Sequence, residues 1–185
     1  MFQKIYRAAL FFFVLATLGW FGIKFSVEYY ASLKADEIVS LADNSSSIDE
    51  AVKFITREVS QNFQHVDPST VPALKFRPYV TNRRLPTFMR WKEGAIETIV
   101  NKGLCDNAAR QLSYVLAKEG IDSVQWNMMT PKGGHSALLV TLPDGRKGLT
   151  DPLFGLSAVN DKGELISPEE ALDKVQSGHS LDAVF

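Results

Sequence analysis

The feature that most constrains this chain is an uncharged apolar run near its N-terminus, AALFFFVLATLGWFGI, at residues 8–23. With its flanks, over residues 5–27, the run is long enough as a helix to cross a bilayer, which needs about 20 residues at 1.5 Å each. The flanking cations Arg7 and Lys24 can extend toward the lipid headgroups. The run therefore predicts a transmembrane helix within residues 1–25.

A cleaved signal peptide is the first alternative to this anchor. Cleavage needs small residues soon after the apolar run, and the sequence that follows has Ala31 and Ala35 but no A-x-A pattern. We therefore expect an uncleaved signal anchor. Lys4 and Arg7 then lie in the cytoplasm by the positive-inside rule. This predicts a single-pass protein of the inner (cytoplasmic) membrane, with its domain facing the periplasm or another extracytoplasmic space. A buried hairpin helix of a soluble protein is disfavoured, because the run is so aromatic and free of charge.

Beyond the anchor, we expect a stalk at residues 26–46 and one globular domain at residues 47–185. The net charge of −1 and the scattered Lys and Arg residues give no electrostatic footprint for nucleic acid. The single cysteine excludes an internal disulfide. The chain has no Cys/His-rich tract of the kind that holds structural zinc.

The domain carries signals for both helices and strands, which predict an α+β fold. Apolar periodicity and capping residues predict helices at residues 48–62, 91–101 and 105–118 and a last helix from Pro168, capped by Ser167 and Glu170. Alternating patterns predict strands at residues 124–128, with Trp126 and Met128 in the core, at 135–142 and at 147–150. Between residues 65 and 88 the prolines predict an irregular segment that lines a groove.

The lone cysteine, Cys105, is the first candidate for chemistry. It lies at the predicted N-terminus of a helix, where peptide dipoles and unpaired N–H groups favour the thiolate, which is the nucleophile. The same N–H groups can hold the oxyanion of a tetrahedral intermediate. In an oxidising compartment a lone cysteine is unusual unless it is buried or used. The alternative is a small apolar core residue.

His135 and Asp151 supply the groups that a nucleophilic cysteine needs. A histidine takes the thiol proton, and a carboxylate on the far ring nitrogen fixes its tautomer. The two residues lie on the arms of one predicted hairpin. A two-residue turn at Asp144-Gly145 would point them to opposite faces of the sheet. A three-residue loop with Pro143 included, or a bulge, would put them diagonally on one face within side-chain reach.

These motifs together resemble the transglutaminase-like superfamily, in a bacterial-type membrane-anchored form. The similarity covers roughly residues 90–155: Gly103-Leu104-Cys105 before a helix, Gly134-His135 opening a strand, and a Pro-Asp-Gly loop followed by Asp151-Pro152. Ala137 and Leu153 depart from the family, which often has an aromatic residue and a threonine at these positions. The resemblance implies a papain-like arrangement, in which the nucleophile helix packs on an antiparallel sheet. It makes Cys105 the nucleophile, His135 the general base and acid, and Asp151 the orienting carboxylate, with Trp91 and Asn101 as candidates for the family's additional oxyanion donor.

The resemblance implies a cysteine-dependent acyl-transfer enzyme. Such an enzyme would be a peptidase or amidase, or a transglutaminase-type transferase, acting on an envelope peptide, protein or polymer. It implies no metal and no organic cofactor. The alternative is a catalytically idle transglutaminase-like binding or scaffold subunit of a membrane-associated envelope assembly. A third alternative is an unrelated periplasmic protein in which the three residues coincide by chance.

Overall fold

The computed structural model describes residues 2–130, 133–180 and 183–185, and within them the chain is an α+β protein. The helices are α1 (Phe2–Ala42), α2 (Ile48–Asn62), α3 (Pro72–Val80), α4 (Ala95–Val100), α5 (Cys105–Leu116) and α6 (Pro168–Gln176). The strands are β1 (Gln64–His65), β2 (Lys102–Gly103), β3 (Asp122–Thr130), β4 (Gly133–Thr141), β5 (Lys147–Asp151) and β6 (Leu156–Ser157). The capped helices α2 and α6 confirm their predictions, with Ser47 and Ser167 as N-cap residues. Part of the turn expected between β3 and β4, residues 131 and 132, lies outside the described residues.

The main sheet is antiparallel, with the strand order β3-β4-β5-β6. In the β4–β5 hairpin Thr141 pairs with Lys147, and the N–H of Leu142 donates to Arg146, which leaves a three-residue loop. Gly145, the third loop residue, has φ +86°, a conformation that glycine adopts without strain. The odd-length loop required for His135 and Asp151 to share a face is therefore confirmed.

Helix α5 packs against one face of this sheet. Leu112, Val115 and Leu116 of the helix lie in one buried cluster with Leu138 and Val140 of β4. The other face carries a smaller buried cluster that contains Ala137, Leu149, Ala158, Ile166, Ala171 and Val184. Because side chains alternate along a strand, even-numbered residues of β4 face α5 and odd-numbered residues face away.

Helix α1 continues well past the apolar run. The segment expected as a stalk is helical to Ala42, and Ala31, Ala35 and Ala42 are buried in the cluster that contains α5. Small side chains on this face let α1 approach the domain closely, so residues 26–42 pack against it. The N-terminal part of α1 is long and apolar enough to span a membrane, and its most apolar window is not buried in the structure.

The proline-rich segment is more regular than its sequence predicts. It contains α3, which has Pro72 in its first turn, where a missing N–H costs no hydrogen bond, and Pro78 near its end. The helix predicted at residues 91–101 is shorter and forms only over α4. The prediction of a core position for Trp126 is wrong: its side chain is 36% exposed on β3, while Met128 is partly buried.

A charged cluster ties the β4–β5 hairpin to α2. Asp49 is buried; it accepts two hydrogen bonds from the guanidinium of Arg146, at 2.9 and 3.1 Å, and one from the N–H of Leu165 at 2.7 Å. Burial alone would raise the pKa of Asp49, but Arg146 and the Leu165 N–H outweigh it and hold this pKa below its usual value. The cluster therefore stabilises the hairpin when Asp49 is ionised.

Candidate active site

His135 and Asp151 lie side by side at one end of the sheet. In the β4–β5 register Asp151 falls opposite Ala137, so His135 is its diagonal neighbour on the same face. The Nε2 atom of His135 lies 2.5 Å from Oδ2 of Asp151. A carboxylate only accepts hydrogen bonds, so Nε2 carries the hydrogen and Nδ1 of a neutral imidazole keeps its lone pair. In the described part of the chain Nδ1 has no hydrogen-bond partner, so it is free to act as a base.

The backbone that follows β5 holds the carboxylate of Asp151 in place. Its second oxygen, Oδ1, accepts from the N–H groups of Leu153 at 3.0 Å and Phe154 at 3.4 Å. The ring of Phe154 lies against the imidazole, with ring centroids 5.5 Å apart. The turn after β5, which contains Leu153 and Phe154, is hydrogen-bonded to α2, because the hydroxyl of Ser60 donates to the carbonyl of Leu153. The His135–Asp151 pair is thus oriented from two sides.

Cys105 is the first residue of α5, as the sequence predicts, and its thiol is free and half-buried. The first N–H groups of an α-helix have no partner within the helix. Within the described residues, the N–H groups of Cys105 and Asp106 have no hydrogen-bond acceptor, whereas Asn107 donates to the carbonyl of Leu104. The N-terminus of α5 therefore has two adjacent N–H groups, those of Cys105 and Asp106, that are free to donate a hydrogen bond.

Helix α5 packs on β3 and β4. Ser113 is hydrogen-bonded to Ser123 on β3, and one turn earlier Ala109 lines a cavity with Gln125 and Leu138. One helical turn of 5.4 Å matches about two strand residues. By this spacing we expect the first turn of α5, with Cys105, to lie toward the end of β4 that carries His135.

The structure does not join the thiol to the imidazole. Within the described residues no hydrogen bond links Sγ of Cys105 to His135, and His135 shares its sheet face with Ala137, away from α5. A direct contact requires the imidazole to reach around the end of β4. Hydrogen bonds between catalytic groups are often long or misaligned before substrate binds. Of the three candidate residues, the structure thus pairs His135 with Asp151 and, within the described residues, shows no hydrogen bond from Cys105 to either of them.

A buried polar network supports the first turn of α5. The Oδ1 atom of Asn107 accepts from the N–H of Leu104, and its amide nitrogen lies 3.5 Å from Oε1 of Glu97. Glu97 is fully buried on α4 and pairs with Arg77 of α3 at 3.3 Å. Burial raises the pKa of Glu97 above its usual value, against the opposing effect of Arg77. Gly103 leaves room for this network, since a Cβ there would lie 2.5 Å from Oδ1 of Asn107.

Neither residue proposed as an additional oxyanion donor is free for that role. The amide of Asn101 donates to the carbonyl of Asn62 and accepts from Gln111, so both of its ends are used within the fold. The indole Nε1 of Trp91 has no hydrogen-bond partner among the described residues, but it is buried, and the side chain lies in a cluster with Leu74, Val80 and Ile96.

Sequence reasoning did not predict the short parallel pair of β1 and β2. This pairing sets Gln64 beside Lys102 and His65 beside Gly103, just before Cys105. A two-residue strand has too little pattern to be visible in the sequence.

Between the proline-rich segment, α5 and β3 there is a cavity of about 370 Å³ with a largely polar lining that includes Arg83, Glu93, Arg110, Ser113 and Gln125.

Among the described residues, no three His, Cys, Asp or Glu side chains cluster as metal ligands would. His179 is exposed, near the C-terminus, and its imidazole is hydrogen-bonded to Ser177 and Lys174.

Comparison of this chain with protein-family models, with curated proteins and with solved structures finds no match. Its function is therefore inferred from the site itself.

Proposed function

We propose that the protein is a membrane-anchored, cysteine-dependent acyl-transfer enzyme of the transglutaminase-like type. The observation that supports this most directly is the 2.5 Å contact between Nε2 of His135 and Asp151. It sets the tautomer that leaves Nδ1 able to take a proton. The free thiol of Cys105, at the N-terminus of α5, is the proposed nucleophile.

In the proposed reaction Sγ of Cys105 attacks an amide or ester carbonyl carbon, and Nδ1 of His135 takes the thiol proton. The N–H groups of Cys105 and Asp106 bind the oxyanion. The bond to the leaving amine or alcohol then breaks, and His135 returns the proton to that group. Water or an amine attacks the resulting thioester and releases Cys105. The reaction uses no metal or organic cofactor.

We also propose that α1 anchors the enzyme in the inner membrane, with the domain on the extracytoplasmic side. The support is the length and apolar character of α1 and the position of Lys4 and Arg7 at its start. An envelope peptide, protein or polymer is the substrate class that this location supplies. The cavity beside α5 has a largely polar lining, which suits a polar substrate of this kind better than an apolar substrate.

A second candidate function is a binding or scaffold subunit that keeps the fold without catalysis. The observation that favours it is the absence, within the described residues, of a hydrogen bond between Cys105 and His135, which start from different sides of the sheet. In that case the His135–Asp151 pair serves the hairpin alone.

The decisive experiment measures the rate of alkylation of Cys105 by iodoacetamide as a function of pH. The full-length protein in lipid nanodiscs is suitable, because its only cysteine gives the whole signal. Ordinary thiols ionise near pH 8.5, and an activated cysteine reacts at a clearly lower pH, at or below about 7.5. We expect the wild-type protein to show this low-pH reactivity and His135→Ala to lose it.

His179→Ala is the matched control, because it removes an exposed imidazole that is far along the chain from the site. It should leave the pH profile unchanged. An ordinary thiol profile that is the same in all three proteins would overturn the enzyme proposal and make the binding function the first choice.

A further inference from the structure

The end of the apolar run contacts a distant segment of the domain. On α1, Trp20 lies 6.5 Å from Phe76, and Phe21 is stacked on Phe88 at 6.3 Å, measured between ring centroids. The indole Nε1 of Trp20 donates to the carbonyl of Met89 at 3.3 Å. We call residues 72–92, which include α3 and the loop after it, the interface segment.

These contacts fix the height of the interface segment along α1. Trp20 lies one helical turn before Lys24, about 6 Å toward the N-terminus. The interface segment therefore lies beside the last helical turn of the apolar run. Loop backbone exposed to lipid is not tolerated in the hydrocarbon core. Aromatic side chains, by contrast, are enriched where hydrocarbon meets headgroups. If α1 spans a bilayer, the interface segment lies in the headgroup layer.

The surface of the interface segment suits that layer. Phe76, Tyr79 and Phe88 are 45%, 71% and 67% exposed. The segment has no Asp or Glu, and its cations are Lys75, Arg77, Arg83, Arg84, Arg90 and Lys92. Arg77 is engaged with Glu97, while Arg83 and Arg84 are exposed and make no ion pair in the described structure. Exposed aromatic rings beside unpaired cations match a surface of apolar chains and anionic headgroups.

A cavity of about 460 Å³ opens between α1 and the interface segment. Four cations line it, Lys24, Arg83, Arg90 and Lys92, together with Glu28 and Glu93. Glu28 is already bonded to Lys24 and to the N–H of Lys92. In contrast, Nε of Arg90 is buried without a hydrogen-bond partner among the described residues. The exposed guanidinium of Arg83, which makes no ion pair in the described structure, can bind phosphate oxygens.

We propose that the interface segment is a second membrane contact, which binds the headgroups of anionic phospholipids and seats the domain on the bilayer. This proposal depends on the membrane anchor of the proposed function but not on catalysis by Cys105. In effect, α1 and the interface segment hold the domain at two points. The domain then cannot tilt freely relative to the bilayer.

The test places an environment-sensitive dye on the interface segment of the full chain in nanodiscs. Tyr79→Cys in a Cys105→Ser background carries the dye, and Met129→Cys, on β3 and 81% exposed, is the matched control. Nanodiscs of phosphatidylcholine are compared with nanodiscs that also contain phosphatidylglycerol, and iodide quenching reports exposure to water. We expect a blue-shifted, poorly quenched dye at position 79 only with phosphatidylglycerol, and a water-exposed dye at position 129 in both.

The double variant Arg83→Gln/Arg84→Gln should return position 79 to the quenching seen with phosphatidylcholine alone. One cation near an anionic surface strengthens binding about fivefold, so the loss of two lowers the binding constant of the interface segment for the anionic surface about 25-fold. Equal quenching at positions 79 and 129, in protein that co-elutes with nanodiscs, would overturn the proposal. Equal protection of the dye at position 79 from iodide in both lipid compositions would refute the requirement for anionic headgroups. Failure to co-elute would instead refute the anchor itself, so the two failures are distinguishable.

Discussion

Asp151→Asn is the sharpest perturbation of the proposed site, because it changes a tautomer and little else. In the structure Oδ1 of Asp151 accepts from two backbone N–H groups, and Oδ2 faces Nε2 of His135. An asparagine must keep its oxygen toward the backbone donors, so its NH₂ group faces Nε2. Nε2 then has to accept, and the hydrogen moves to Nδ1. The variant keeps the shape of the site and removes the base.

The size of the effect follows from the ionisation of the thiol. An ordinary thiol, half ionised near pH 8.5, is about 1% thiolate at pH 6.5. A thiol held half ionised at pH 6.5, within the range of catalytic cysteines, has about 50 times more thiolate. Its thiolate is also less nucleophilic, by about eightfold over two pH units. For a thiol activated to that degree, loss of the base lowers the alkylation rate at pH 6.5 only about sixfold, and the pH profile moves to that of an ordinary thiol. With a true substrate the loss should be larger, about 10²–10⁴-fold, because the base also acts in the transition state.

The assay is iodoacetamide alkylation across the pH range, read by intact mass, together with thermal unfolding of the same samples. We expect a shifted midpoint and an almost unchanged unfolding temperature. If Asp151→Asn keeps the wild-type profile while His135→Ala loses it, the carboxylate does not set the tautomer of His135, and the proposed role of Asp151 is refuted. If the variant unfolds much earlier than the wild type, the pair is a structural element of the hairpin.

Three further predictions concern the frame of the site. Asp49→Asn should destabilise the fold by about 1–2 kcal/mol at neutral pH, a modest loss because Arg146 is 40% exposed and its charge is screened. Since the folded pKa of Asp49 is lowered, the wild type loses this stability as pH falls below the unfolded value of 3.8, and urea unfolding of the variant should lack that loss. The free energy of unfolding of Glu97→Gln should increase relative to that of the wild type as pH rises above 4.5. Burial raises the folded pKa of Glu97, so its ionisation opposes folding of the wild type; urea unfolding near pH 4.5 and 7.5 checks this. Gly103→Ala should displace Asn107, cost about 1–3 kcal/mol by thermal unfolding and slow alkylation, because the new Cβ collides with that side chain at φ +144°.

Much of the site's frame could be predicted because local chemistry determines it. The Pro143-Asp144-Gly145 loop fixes the hairpin register, and the register places His135 and Asp151 together. Helix α5 begins at Cys105 and ends before Gly120, which takes the left-handed conformation expected of a C-terminal cap. Each of these features depends on residues that are close in sequence.

The features that sequence reasoning missed depend on residues that are far apart. Residues 26–42 have a weak pattern of their own, and their burial follows from contact of Ala31 and Ala35 with helices that come later in the chain. Trp126 alternates like a core residue, but no other element covers its face of β3 well enough to bury it. The distance from Cys105 to His135 likewise depends on how α5 packs on β4, and no pattern within either element encodes it.

The energetics of the His135–Asp151 pair bear on why the chain holds it so firmly. The two side chains are 27% and 14% exposed, and with a neutral imidazole their contact is a single hydrogen bond to a carboxylate, which contributes about 1.5–3 kcal/mol to stability. Two backbone N–H groups and the ring of Phe154 nevertheless fix its orientation. A hydrogen bond that served the hairpin alone would gain little from this precision, because the Asp49–Arg146 cluster, at the loop end of the same hairpin, already ties the hairpin to α2. The precision is useful if one nitrogen of the imidazole must carry the hydrogen and the other must be free, which is what a base for Cys105 requires.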